Sequence, residues 1–163
     1  MDMDRNTAFA VLLDIEKSEA FSNLALNRRI AENQPQNQAF VRELVYGVLK
    51  YKLLLDYQID RLVKTGVRKL KKQDLTLLRM GMYQLIFMDS VPEYAAVSET
   101  VQMAKKYARG RESFINAVLR SFIRSGRKLQ LPDHAQDTVG YLSVAYSAAP
   151  WIVRLWLDAY GEQ

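Results

Sequence analysis

Apolar residues return along this chain at intervals of three and four, not two, so segment after segment reads as an amphipathic helix. A first helix runs from Asp4, as its cap, to about Lys17, with Ala8, Leu12 and Ile15 on one face and Phe9 and Leu13 beside them. Ser18-Glu19-Ala20-Phe21 is a short turn, and Ser22 caps a second helix through Leu24, Ala25, Leu26 and Ile30. The polar, proline-containing run Asn33 to Asn37 is a connector. Phe40, Val41, Leu44, Val45, Val48 and Leu49 then keep helical spacing from Gln38 to about Lys50, with Gly47 suited to a close helix crossing. A fourth helix spans about Leu53 to Lys64 and ends at Thr65-Gly66, where glycine fits a left-handed position.

The stretch from Asp74 to Met88 departs from this one-sided pattern. Only Thr76, Arg79 and Gln84 interrupt its apolar residues between Leu75 and Met88, and Leu77, Leu78, Met80, Met82, Tyr83, Leu85, Ile86 and Phe87 cover nearly the whole circumference. A helix apolar all round is buried in a core. A membrane span needs about 20 uninterrupted residues, so the short run, broken by Arg79, predicts a central scaffold helix with Asp74 as N-cap. Val91-Pro92 ends it. Residues 95–108 form a sixth helix with Val97, Val101 and Met103 or Ala104 inward and Lys105 and Lys106 outward. Ser113 caps a seventh, in which Phe114, Ala117, Val118, Ser121 and Phe122 line one side and Gly126 stops the helix. Two shorter helical patterns follow, Thr138 to Ala145 and Pro150 to Tyr160, with Pro150 at a first helical position and Gly161 just past the end. With no sustained alternation anywhere, the fold class is all-α.

Composition narrows the chemistry. A chain of 163 residues that is 49% hydrophobic can bury a sizeable core without metal or disulfide staples. The absence of cysteine removes disulfides, thiolate metal sites and thiol nucleophiles, and the single histidine, His134, builds no metal cluster alone. The acidic start, without a basic and apolar leader, predicts a cytoplasmic protein. Searches for a nucleophile with its base, a phosphate-cradling glycine loop or a metal site each fail. Asp56 and Asp60 lie one helical turn apart among Lys52, Arg61 and Lys64, a pattern for ion pairs on a wet helix face.

The net charge of +5 is unevenly placed. Both ends are slightly acidic, whereas Arg68, Lys69, Lys71 and Lys72 form a basic loop, followed by Lys105, Lys106, Arg109, Arg111, Arg120, Arg124, Arg127 and Lys128 with Glu112 as the one acid among them. Clustered cations attract a polyanion through counterion release. A solvated face kept for solubility explains the same pattern, and charge alone leaves both readings open.

Two segments carry a resemblance. Val41 to Leu62 and Leu78 to Arg120, above all FINAVLR at Phe114 to Arg120, resemble the signature of NusB-like RNA-binding domains, over about residues 4–127. The tail YLSVAYSAAPWIVRLWLDAYG, Tyr141 to Gly161, is similar to the linker that follows such a domain in bacterial ribosomal RNA cytosine-5 methyltransferases of the RsmB/Sun type; Tyr146, Ser147 and Trp151 match, while Ala148 and Ala149 replace the usual His and Pro. FSNLALNRRI, Phe21 to Ile30, also looks more like that branch than like free NusB.

The resemblance implies a bundle of two packed helical subbundles at 1–128 that binds ribosomal RNA. It also implies a helical linker at 129–163 leading to a catalytic domain absent from this chain. S-adenosylmethionine is implied for that domain; the chain itself is expected to hold no cofactor, no metal and no catalytic residue, and to meet no membrane. Family analogy nominates Arg5, Arg28 and Arg29 for RNA contact. The charge clusters add Lys69, Lys71, Lys72, Lys105, Lys106, Arg109, Arg111, Arg120, Arg124, Arg127 and Lys128. A NusB-type antitermination factor that binds RNA with a ribosomal protein, or a protein-binding helical scaffold, are the alternatives. The oligomeric state is open.

Overall fold

The structure is a computed structural model that describes residues 2–18 and 21–161. Glu19 and Ala20, the middle of the expected turn, lie outside the described residues. The helices are α1 (Met3–Ser18), α2 (Ser22–Asn33), α3 (Gln38–Lys50), α4 (Lys52–Leu62), α5 (Lys72–Phe87), α6 (Glu93–Tyr107), α7 (Glu112–Arg124), α8 (Thr138–Ala145) and α9 (Pro150–Tyr160), with a 3-10 turn at Val67–Lys69 before α5. No strand occurs among the described residues.

The axis of the molecule is α5. Every residue from Thr76 to Leu85 is buried, because α1, α3, α4, α6 and α7 all pack against this helix. Helices α1 to α3 thus form one subbundle and α4 to α7 a second, with α5 shared between them. The two glycines in buried helix interiors mark where helices approach most closely. A Cβ built on Gly47 would lie 2.0 Å from the ring of Tyr83, which is itself flanked by Tyr51 and Phe87 at 6.4 and 5.1 Å between ring centroids. Gly47→Ala is therefore expected to lower stability by about 1–2 kcal/mol in chemical denaturation. Overpacking against a ring that has nowhere to move outweighs the roughly 1 kcal/mol gained in helix propensity.

Most helix starts differ from the sequence expectation by one or two residues. Asp74 is not the cap of α5, which begins at Lys72 with Lys71 as N-cap. Asp74 stands in the first turn, 3% exposed, where the helix dipole favours its charge and Arg111 donates to it at 3.0 Å. Asp2, not Asp4, accepts the free N–H of Arg5 at the start of α1, at 3.0 Å, while Asp4 accepts from the Asn37 N–H ahead of α3. Ser22 and Ser113 lie inside their helices, behind Phe21 and Arg111, and neither N-cap residue makes a side-chain cap bond. The fourth helix closes at Leu62, and Gly66, at φ 81°, opens the 3-10 turn. In α7 the buried seam is Ile115, Val118, Leu119 and Phe122, with Ala117 exposed. Pro150 takes the first position of α9, as expected.

Residues beyond α7 are tied back onto the bundle. Gln58 in α4 donates to the Gln130 carbonyl and accepts from its N–H, both at 2.8 Å. Ser147 accepts from the Leu53 N–H at 3.0 Å, satisfying one of the orphan donors at the start of α4 in the manner of an N-cap. Helix α8 lies on α4, and α9 on α8.

Candidate nucleic-acid interface

Positive charge inside the bundle must be separated from positive charge on its surface before any face can be assigned to a ligand. Arg79 belongs to the interior. Its Nε and Nη2 donate to the two oxygens of Asp56 at 2.6 and 2.8 Å, and its Nη1 to Glu16 at 3.0 Å. Lys52 also reaches Glu16, at 2.9 Å. Asp56 is therefore paired across helices to α5 and not within its own helix, as its neighbours Lys52, Arg61 and Lys64 had suggested. Burial pushes the Glu16 carboxyl up, but the hydrogen bond and charge of Lys52 and the charge of Arg79 outweigh it and hold the group below its ordinary range. Burial likewise works against the Arg79 cation, and its bond to Asp56 more than restores it.

Arg5 is interior as well. Only 8% exposed, it donates from Nε to Gln84 at 2.7 Å, pairs with Asp2 and lies over the Phe40 ring at 5.0 Å. Gln84, 1% exposed, requires a polar partner in the core, and Arg5 supplies it. This guanidinium is thereby committed to the junction of α1, α3 and α5, not turned to a phosphate.

The remaining nominated cations are surface groups, and three contacts draw many of them together. Arg29 grips Asp14 with two bonds of 2.7 and 2.8 Å, and Arg28 reaches the same carboxylate at 3.1 Å. The Arg29 bond, followed by that of Arg28, holds Asp14 below its ordinary value against the opposing effect of burial. Next to this clamp a groove of about 350 Å³ opens between α1, α2 and the end of α6, lined by Lys17, Arg29, Asn33, Lys106 and Tyr107. Tyr107 is held rigidly, its ring stacked on Phe9 at 4.4 Å and its hydroxyl donating to Asn6 at 2.7 Å. From Lys105 and Lys106 the chain turns through Arg109 and Gly110, where φ is 84°. The Arg111–Asp74 ion pair then fixes that turn against the start of α5, beside Lys71 and Lys72. Lys17, Arg29 and Lys106 thus line one groove beside Arg28, and Arg111 is tied to the first turn of α5 that Lys71 and Lys72 open. With Lys105 and Arg109 on the stretch between Lys106 and Arg111, these cations are taken together as a candidate basic ridge. Lys17 and the rigid Tyr107 were not singled out from the sequence; the Lys-Lys-Tyr run at 105–107 was the available signal.

Other candidates lie elsewhere. Lys69 borders a groove of about 470 Å³ between α4, the 3-10 turn and α8. Arg120 and Arg124 are exposed on the outer side of α7, with Arg124 donating to Ser121 at 3.1 Å. Arg127, at φ 59°, faces Glu93 at 3.6 Å, and Lys128 joins Arg61 in a third groove of about 300 Å³. Along α7, 13 residues long, Arg120 stands about 14 Å and Arg124 about 20 Å from Arg111 at the helical rise. Among the described residues no group of three or more His, Asp or Glu side chains is placed to hold a metal, and no helix is long and apolar enough to cross a membrane. His134 sets its ring edge-on to Tyr141 at 4.7 Å.

Fold and surface define an all-helical bundle with a shared central helix and a set of surface cations of which Arg28, Arg29 and Arg111 are held by ion pairs. The model of the NusB family matches residues 3–124, and the chain belongs to that family. It is 34% identical over 122 residues to the transcription antitermination protein NusB of Levilactobacillus brevis, covering 71% of this chain and 86% of that protein. Over 160 residues, 96% of this chain, it is 37% identical to the probable ribosomal RNA small subunit methyltransferase B of Bacillus subtilis, of which it spans only 35%. A similar protein of Synechocystis is 28% identical over 162 residues and 36% spanned. Among solved structures, a chain in a crystal structure of antitermination factors NusB and NusE in complex with dsRNA superposes with a TM-score of 0.69 at 23% identity, covering 76% of this chain and 96% of that one. Another, from a crystal structure of a plectonemic RNA supercoil, gives 0.72 at 22% identity, covering 79% and 97%. These two likenesses support the fold.

Proposed function

We propose that this chain is the RNA-binding part of a ribosomal RNA small-subunit cytosine-5 methyltransferase, and that its basic ridge engages ribosomal RNA phosphates. The observation that carries the reading is where the similarities end. The NusB family match stops at residue 124, whereas similarity to the Bacillus subtilis methyltransferase takes in 96% of the chain, and so reaches α8 and at least most of α9. Methyl transfer to cytosine C5 by the resembled enzymes uses a cysteine nucleophile and S-adenosylmethionine. This chain contains no cysteine, so the chemistry belongs to the part of such a protein outside it. Residues 1–128 then serve as the RNA-binding domain and 129–163 as the connection to the catalytic part. The role of the ridge is electrostatic: it neutralises phosphates, releases their counterions and positions the RNA without reading its bases.

Binding of small-subunit ribosomal RNA is expected to fall steeply with salt. For four phosphate contacts, raising salt from 50 to 200 mM should cost roughly 50- to 150-fold in affinity, measured by filter binding or fluorescence anisotropy. No binding at 50 mM, or affinity indifferent to salt, would sink the reading. The second reading, an antitermination factor, is favoured by the NusB relatives, but they leave α8 and α9 without a counterpart. Co-purification of a small-subunit ribosomal protein that raises RNA affinity would support it instead.

A further inference from the structure

We infer that the outer face of α9 is a docking surface for a further protein unit, the one that continues the longer relatives beyond the third they share with this chain. The inference rests on the reading of the chain as part of such a protein. Helix α9, Pro150–Tyr160, is apolar around its whole circumference except for the strip bearing Arg154 and Asp158. A helix of that pattern is a buried helix, yet only Val153 is buried. Trp151 is 64% exposed, Leu155 57%, Trp156 46% and Tyr160 78%. From the usual size of aromatic side chains, these leave on the order of 400 Å² of apolar surface in water. Spread over about half of the helix circumference at roughly 100° per residue, that total is comparable to the patches that mark interaction sites on soluble proteins and about half of one side of a standard interface. Trp and Tyr are also the residues that most often anchor such interfaces.

Charge and distribution identify the occupant. Residues 129–161 carry Asp133, Asp137 and Asp158 against Arg154 alone, which disfavours RNA stacking, where cations must accompany the aromatics. It equally disfavours an interfacial membrane helix, whose polar face is basic. The NusB relatives, of which the chain covers 86% or more, match only 71–74% of it, and the family match ends before α8. The relatives aligned over 96% or more of this chain have about two thirds of their length beyond the match. The exposed aromatic face therefore occurs on the segment shared with the proteins that carry additional chain. The chain that leads into α9 is also held in place: Ser147 bonds to Leu53 and Gln130 to Gln58, and α9 lies on α8, so docking orders little that was loose.

Hydroxyl-radical footprinting read by mass spectrometry tests this residue by residue, because Trp151 and Trp156 are the only two tryptophans in the chain. Three samples are compared: the chain alone, the chain with the remaining part of the Bacillus subtilis protein added as a separate polypeptide, and a chimera in which the chain replaces the matched third of that protein. Oxidation of Trp151, Trp156 and Tyr160 is expected to fall at least five-fold in either of the last two, with Tyr94, 72% exposed on α6, as the unaffected reference. Leu155→Arg should weaken the added polypeptide at least ten-fold while leaving the circular dichroism melt and RNA affinity of the chain unchanged. Unaltered oxidation in both forms overturns the inference. So does protection that grows with the concentration of the chain alone, which would mean a second copy, or protection by ribosomal RNA alone. Protection without RNA affinity would remove the RNA-binding reading and leave this one standing; RNA affinity without protection would do the reverse.

Discussion

Leu78→Asp, or Leu85→Asp, is expected to leave the chain without a cooperative fold at 25 °C. Leu78 is 0% exposed and Leu85 2%, on the one helix that touches α1, α3, α4, α6 and α7. Removing either leucine forfeits roughly 2–3 kcal/mol of burial. The incoming carboxyl adds several kcal/mol more if it ionises without a partner, and if it stays neutral it leaves an unsatisfied polar group in the core. Arg79 gives no relief, because its donors are engaged by Asp56 and Glu16. Set against a total stability of about 5–15 kcal/mol, the loss takes most or all of it. Far-ultraviolet circular dichroism should show helix content collapsing and no sigmoidal urea transition. Leu24→Asp is the comparison: Leu24 is 67% exposed on α2, and its change should stay within about 0.5 kcal/mol. A Leu78→Asp protein that unfolds at the parent urea midpoint would refute the buried-helix account.

That helix was the most legible feature of the sequence because all-round apolarity has few structural meanings. Its interruptions were less legible. Arg79 looked like a break in an apolar run, and its partners, Asp56 and Glu16, lie 23 and 63 residues away; no spacing rule reaches across helices. The cap positions failed for a related reason. Ser and Asp residues are expected at the nearest helix start, whereas Asp74 pairs with Arg111 and Asp4 accepts from the Asn37 N–H. In α7 two neighbouring apolar arcs were available, one through Phe114 and Ala117, the other through Ile115 and Leu119. The second wins because α5 offers a notch for it: a Cβ on Gly81 would lie 3.0 Å from the Leu119 methyls. The cations were all visible in the sequence, but their grouping depended on tertiary contacts. Arg5 left the surface to satisfy Gln84, while the Arg111–Asp74 pair carried Arg109 to the start of α5.

Because that pair couples two stretches of sequence into one ridge, reversing a charge on each side of it should have the largest effect on RNA binding. Lys72→Glu with Arg109→Glu is expected to weaken ribosomal RNA binding about 10- to 100-fold near 100 mM salt. It should also reduce the slope of log affinity against log salt by about 1.4–1.8, the contribution of two phosphate contacts. Both residues are exposed, and among the described residues neither has an acidic partner, so the melt of the double variant should stay close to that of the parent. Arg5→Ala separates folding from binding in the opposite sense. Loss of its bonds to Gln84 and Asp2 should cost about 2–3 kcal/mol of stability while leaving the salt slope of the folded protein unchanged. Arg120→Glu with Arg124→Glu, on the outer side of α7, tests the competing placement. If that pair removes the slope and Lys72→Glu with Arg109→Glu does not, the RNA follows α7 and the ridge is a solvated surface. The ridge placement requires the reverse, because removing a cation lowers the salt slope only where that cation contacts a phosphate.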